Sequence, residues 1–177
     1  MMNLLTRAGW EARIDAAAAT SVPDPQREAG VIAATRPSGQ SIAALRGRPV
    51  TDVAVEIVDY MLFVDEAFDA PIVGSSQFAE RFVARGPTDP LGRSLRQLNL
   101  TTRLMVHPLS YVIYGEQFDA LPAVVKDAVY QRLWTVLSGR DPDPIYRKLL
   151  VADRRAIVEI LVATKPGVPS YFRSSAI

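Results

Sequence analysis

His107 is the only histidine in the chain, and the chemistry the sequence can offer gathers around it. The stretch 105–139, MVHPLSYVIYGEQFDALPAVVKDAVYQRLWTVLSG, also holds one of the two tryptophans and three of the six tyrosines. His107 precedes a proline that opens a helix, so it belongs near a positive helix end. That setting lowers its pKa and keeps the imidazole neutral. A neutral imidazole there suits a general base toward Ser110 or Tyr111, or an axial ligand to haem. The plain alternative is a half-buried ring bonded to backbone. Tyr111, Tyr114 and Glu116 share the neighbourhood and form a candidate binding pocket with His107. A second, separate candidate is Arg36 in Arg36-Pro37-Ser38-Gly39, where a glycine-bearing turn with arginine and serine can present donors to an anion.

Other chemistries are excluded by residue type. Cysteine is absent, which removes disulfides, thiol nucleophiles, thiolate metal sites and covalent haem attachment through C-x-x-C-H. One histidine and no cysteine do not make a zinc site. No nucleophile elbow, dinucleotide fingerprint or P-loop occurs. Asp52, Glu56 and Asp59, followed by Asp65, Glu66 and Asp69, form an acidic run that can do acid–base work or hold a cation. Such a run is far more often a solvated helix face, and it does not match a calcium loop. No metal or cofactor is therefore assigned. The net charge is +1, and no basic stripe with interleaved aromatics appears, so nucleic acid is not an expected partner.

The elements that must position these residues follow from periodicity. Leu109, Val112 and Ile113 on one side, with Tyr111, Tyr114 and Phe118 on another, predict a helix over 109–118 that is apolar on two faces. Gly115 falls inside it, where close packing against a neighbouring backbone or an approaching ligand would explain a glycine. Pro122 and Gly139 bracket the next helix, with Val125, Val129, Leu133 and Val136 as its apolar stripe. Lys126, Asp127, Gln131, Arg132 and Ser138 are left for its wet side.

Thr51 is expected to cap a helix running to about Phe68, with Val53, Ile57, Tyr60, Met61 and Val64 inward. A short helix to about Arg85 carries Phe78 and Phe82 on one face and stops at Gly86-Pro87. Residues 94–104 read as a further helix, with Leu95, Leu98 and Leu104 inward. Its outward Arg93, Arg96 and Arg103 form a basic patch that can meet either the acidic helix or a partner. The last helix runs from Val151 to Thr164, with Arg155 and Glu159 as an i,i+4 pair. Tyr171 and Phe172 in the tail are expected to dock.

With 49% apolar and 22% charged residues over 177 positions, the chain fits a folded globular protein with a real core. The reading is all-α: a single domain of five to six helices over 51–177, with a helix and a loop-rich arm over 1–50. Seven prolines and glycines punctuate 21–49, as befits a functional loop or an arm that wraps something. No apolar run reaches the roughly 18 residues of a membrane span. Trp10 between Arg7 and Arg13 leaves peripheral membrane association open. Arg7, Glu11 and Arg13 interrupt any apolar leader, which leads to the expectation of a cytoplasmic protein or a processed or truncated form.

Three stretches, TRPSGQSIAALRGRPVTDVAVEIVDYMLFVDEAF, HPLSYVIYGEQFDALPAVVKDAVYQRLWTVLSGRD and DRRAIVEILVATKPGVPSYF, resemble the C-terminal region of a group of uncharacterised exported bacterial proteins. The resemblance covers most of the chain from about Thr35. It implies a periplasmic or cell-envelope setting and brings no activity or catalytic residue with it. The expected function is a non-enzymatic structural or protein-interaction subunit of a larger assembly, with other protein subunits as partners. The alternative is a ligand-binding protein or enzyme using the pocket around His107 and the Tyr111/Tyr114 helix.

Overall fold

The computed structural model describes residues 49–64, 71–72 and 77–174. Among them are six α-helices, two 3-10 helices and no strand, so the fold is all-α. The expected arm and Arg36 lie outside the described residues, as do positions 65–70, where the acidic run continues. No helix of the described residues is long and apolar enough to cross a membrane.

Helix α1 (Val50–Met61) turns Val53, Ala54, Ile57, Val58 and Met61 into the core, the repeat expected of an amphipathic helix. Tyr60 falls off that stripe and is 57% exposed, against expectation. Thr51 is not the cap. Pro49 takes that place, and Thr51 lies within the helix. The helix also ends early, because Phe63 adopts a left-handed φ of 54°. The Met61 carbonyl, left without an intrahelical donor, accepts Ser110 N–H at 2.8 Å and ties the helix end to the His107 region.

Helix α1 packs most extensively on the helix Ala123–Leu137, the longest among the described residues. Helix α2 (Phe78–Ala84) follows and contributes no buried residue. The expected helix over 94–104 is not formed. Leu98 and Met105 make an isolated antiparallel bridge, and the chain reverses between them. The Asn99 side-chain oxygen accepts the backbone N–H groups of Thr101 and Thr102, both at 3.0 Å. An asparagine that bonds its own backbone two and three residues on offers a turn in place of a helix. The leucine spacing still holds in part, since Leu95 is fully buried.

The expected helix over 109–118 is also broken. Ser110 caps a 3-10 helix (Tyr111–Tyr114) by accepting Val112 N–H. Gly115 is extended (φ −78°, ψ 149°), and a short helix α3 (Glu116–Asp119) starts after it. Gly115 is therefore a joint rather than a helix interior. A Cβ there would meet the Val112 carbonyl at 3.1 Å and the Gln117 side chain at 3.2 Å, so the crowding comes from its own turn.

Helix α4 (Ala123–Leu137) buries Val125, Val129, Tyr130, Leu133, Trp134, Val136 and Leu137. It closes at Gly139, whose φ of 73° suits the left-handed residue that ends a helix. A 3-10 helix (Pro144–Lys148) then leads into α5 (Val151–Thr164), which keeps its expected bounds. The tail folds back as α6 (Tyr171–Ser174), placing Phe172 against Tyr130 and Trp134.

Candidate functional site

The basic residues of 93–103 settle the electrostatics around His107. Asp89 accepts the Leu91 and Arg93 amides at 3.0 and 2.8 Å and pairs with the Arg93 guanidinium at 2.7 Å. Arg93 also reaches Glu159 on α5 at 2.7 Å. Arg103 forks onto both oxygens of Asp153, each at 2.8 Å, and donates to the Val106 carbonyl at 2.6 Å. Thus Arg93 and Arg103 reach α5 and not the acidic face of α1. Burial raises the Asp89 carboxyl, but the amide and guanidinium of Arg93 outweigh it, and the net shift is downward.

His107 sits half-buried beside these pairs. Its pKa is lowered, as expected, but the causes are different. Burial comes first, then the charge of Arg93 and, further down, Arg103, with Asp153 and Asp89 opposing. A helix end is not involved, since three residues separate His107 from the 3-10 helix. The ring makes no hydrogen bond among the described residues. Folding favours the neutral imidazole, so stability is complete above pH 6.5 and declines as pH falls from there toward the lowered folded value.

The other candidates make contacts of their own. The Tyr114 hydroxyl is 2.6 Å from Thr164 Oγ1 on α5, and burial raises its pKa. Glu116 is exposed at the start of α3. Ser110 caps its own turn. Tyr111 turns its ring elsewhere, to the edge of Phe82 at 5.1 Å between centroids.

That contact opens onto an arrangement the sequence shows only in part. Phe82 stacks on Phe78 at 5.6 Å, four residues back on α2. The Arg96 guanidinium lies 4.9 Å from the Phe82 ring and 4.2 Å from the Tyr111 ring. Such cation–π contacts are worth about 0.5–2 kcal/mol each, depending on exposure. Gly86 makes room for the arginine, since a Cβ there would sit 2.5 Å from Arg96 Cδ. Phe78 ends the ladder at the surface and is 59% exposed. The i,i+4 phenylalanines are legible in the sequence, whereas the partners Tyr111 and Arg96 are set by tertiary folding.

Two further features appear. A polar network joins α1, α4 and the Pro144–Lys148 helix. In it the Tyr146 hydroxyl donates to Asp59 and accepts Arg132 Nη2 at 2.8 Å, while Arg132 Nη1 pairs with Asp141. Arg132 is thus drawn inward from the wet face expected for it. Burial and the Asp59 bond push the Tyr146 phenol up to about 12. Beside the network lies a half-open cleft of about 210 Å³, between the end of α1, residues 102–108 and the 3-10 helix at Pro144–Lys148. Pro108 borders it, but His107 does not. Among the described residues, no three His, Asp or Glu side chains gather as metal ligands would.

The chain matches no protein-family model, no curated protein and no solved structure.

Proposed function

We propose that the chain is a non-enzymatic structural or protein-interaction subunit of a larger bacterial assembly. We place that assembly in the periplasm or cell envelope, the setting implied by the resemblance to exported bacterial proteins. The observation that supports an interaction role is the ladder Phe78–Phe82–Tyr111 with Arg96. Phe78 and Phe82 stand on a helix with no buried residue, and the half-buried Tyr111 and Arg96 back them from neighbouring segments. Phenylalanine, tyrosine and arginine are types that interfaces enrich, and the aromatic rings bring large contact area with little rotamer freedom to lose. Here stacking and the guanidinium already restrain the rings, so a partner would meet a partly organised surface.

The test is a photo-crosslinking residue at position 78 of the full chain in its own cells, with Val124 as an exposed apolar control. The reading expects a discrete adduct from position 78 and none from position 124. Equal labelling at both, or none at either, would overturn it.

A further inference from the structure

We infer that the cleft between the end of α1, residues 102–108 and the Pro144–Lys148 helix binds a small apolar carboxylate, with Lys148 as its counter-ion. The walls are mostly hydrocarbon: Leu62, Phe63, Val64, Leu104, Met105 and Leu149 line the recess. Its volume of about 210 Å³ equals roughly seven waters of liquid at about 30 Å³ each. That falls below the roughly 300–1,000 Å³ of pockets for drug-sized ligands, so the fitting ligand has about ten non-hydrogen atoms.

The polar groups at the cleft select its charge. Arg103 is neutralised by the two oxygens of Asp153. The Tyr146 hydroxyl is held between Asp59 and Arg132. The Thr102 hydroxyl donates to Asn99. Of the three lysines, Lys126 donates to the Asp119 carbonyl and Lys165 pairs with the Asp119 carboxylate. Lys148 is exposed, lines the cleft and has no partner among the described residues. An ammonium without a partner among the described residues, beside an apolar recess, is complementary to an apolar body with a single anionic head. A phosphate would want more donors than this rim presents, whereas a carboxylate is served by one ammonium and water. Phe63 supports the reading from the wall: its left-handed backbone carries strain of about 1–3 kcal/mol, of a kind that clusters at binding sites.

The cleft and the aromatic ladder are built from different residues, so this inference and the interaction reading stand or fall separately. The probe is octanoate added to the full chain carrying ¹³C-methyl methionine, with octanol as the uncharged analogue. Met105 lines the cleft and reports directly. Saturable shifts of the Met105 methyl with octanoate are expected, with octanol at least about tenfold weaker. Lys148→Gln should weaken octanoate about tenfold and leave octanol unchanged, and because Lys148 is exposed the variant keeps its fold. An unmoved Met105 methyl at millimolar octanoate would overturn the inference. So would equal binding of both probes, or a Lys148→Gln variant that binds octanoate as the parent does.

Discussion

Among the described residues aromatic rings gather in two places, and the two differ in what they are buried against. In the first, Phe118, Tyr130, Trp134, Tyr171 and Phe172 come from α3, α4 and α6 and meet at centroid distances of 5.1–6.1 Å. Phe118 and Phe172 have almost no exposed surface. In the second, Phe78 and Phe82 on a helix with no buried residue meet the half-buried Tyr111 at similar distances. The pairwise geometry is comparable, so ring contact alone does not separate them. What separates them is the water removed. Burial of apolar area contributes about 25 cal/mol per Å², and only the first cluster receives it in full. The first cluster therefore holds the fold together, and the second leaves area for something else to cover.

The largest test of this contrast is Phe172→Ala. Removing a fully buried aromatic leaves a cavity between α4 and α6 and costs about 3–5 kcal/mol. A denaturant midpoint that falls accordingly, with an unchanged slope, is the expected result. A loss below about 1 kcal/mol would mean that the tail is not part of the core.

The docking of that tail was legible in the sequence, as were the stripes of α4 and the bounds of α5. The first rests on two adjacent aromatic residues, and the other two on periodicity and on proline and glycine at helix ends, all of them local signals. Two predicted helices failed for reasons equally local but weaker in pattern. Asn99 with Thr101 and Thr102 makes a turn whose flanking leucines mimic helical spacing. Ser110 and Gly115 cut the 109–118 stretch into a 3-10 turn, a joint and a short helix. The candidate residues Tyr111, Tyr114 and Glu116 therefore do not lie along one continuous helix. In the structure Tyr111 faces α2, Tyr114 faces α5 and Glu116 faces solvent. The pairings Arg103–Asp153, Lys165–Asp119 and Tyr146–Asp59 join residues 46–87 positions apart, and no local pattern encodes them.

A second test sharpens the comparison through pH. Burial, aided by the charges of Asp119 and Tyr171, raises the Tyr130 phenol from 10.0 to about 12. The folded chain thus keeps a proton that the unfolded chain releases. Stability from this group is complete below pH 10 and is lost as pH rises from 10 toward 12. At about 1.4 kcal/mol per unit, the loss amounts to at most about 3 kcal/mol. Tyr146 is raised to a similar value and adds to the alkaline slope. Tyr130→Phe should flatten the fall of the unfolding free energy between pH 10 and 12 while keeping the ring contacts with Phe118 and Phe172. An unchanged slope would mean that the hydroxyl ionises without leaving the core.

The smallest effect expected on stability is the most informative about the second cluster. Phe78 is exposed, and among the described residues its one ring contact is with Phe82. Truncating it to alanine removes one partly solvated stacking interaction, worth about 0.5 kcal/mol at such a surface. Alanine's better helix propensity offsets part of that. Phe78→Ala should therefore melt within about a degree or two of the parent, whereas Phe82→Ala also removes the face that Arg96 and Tyr111 share. If Phe78→Ala destabilised the chain as strongly as Phe172→Ala, the ladder would be part of the core, and its exposure would carry no argument for a partner. A chain that tolerates the loss of Phe78 in isolation, yet forms no discrete adduct when the crosslinker is moved to position 82, would confine the contact surface to the outer end of α2.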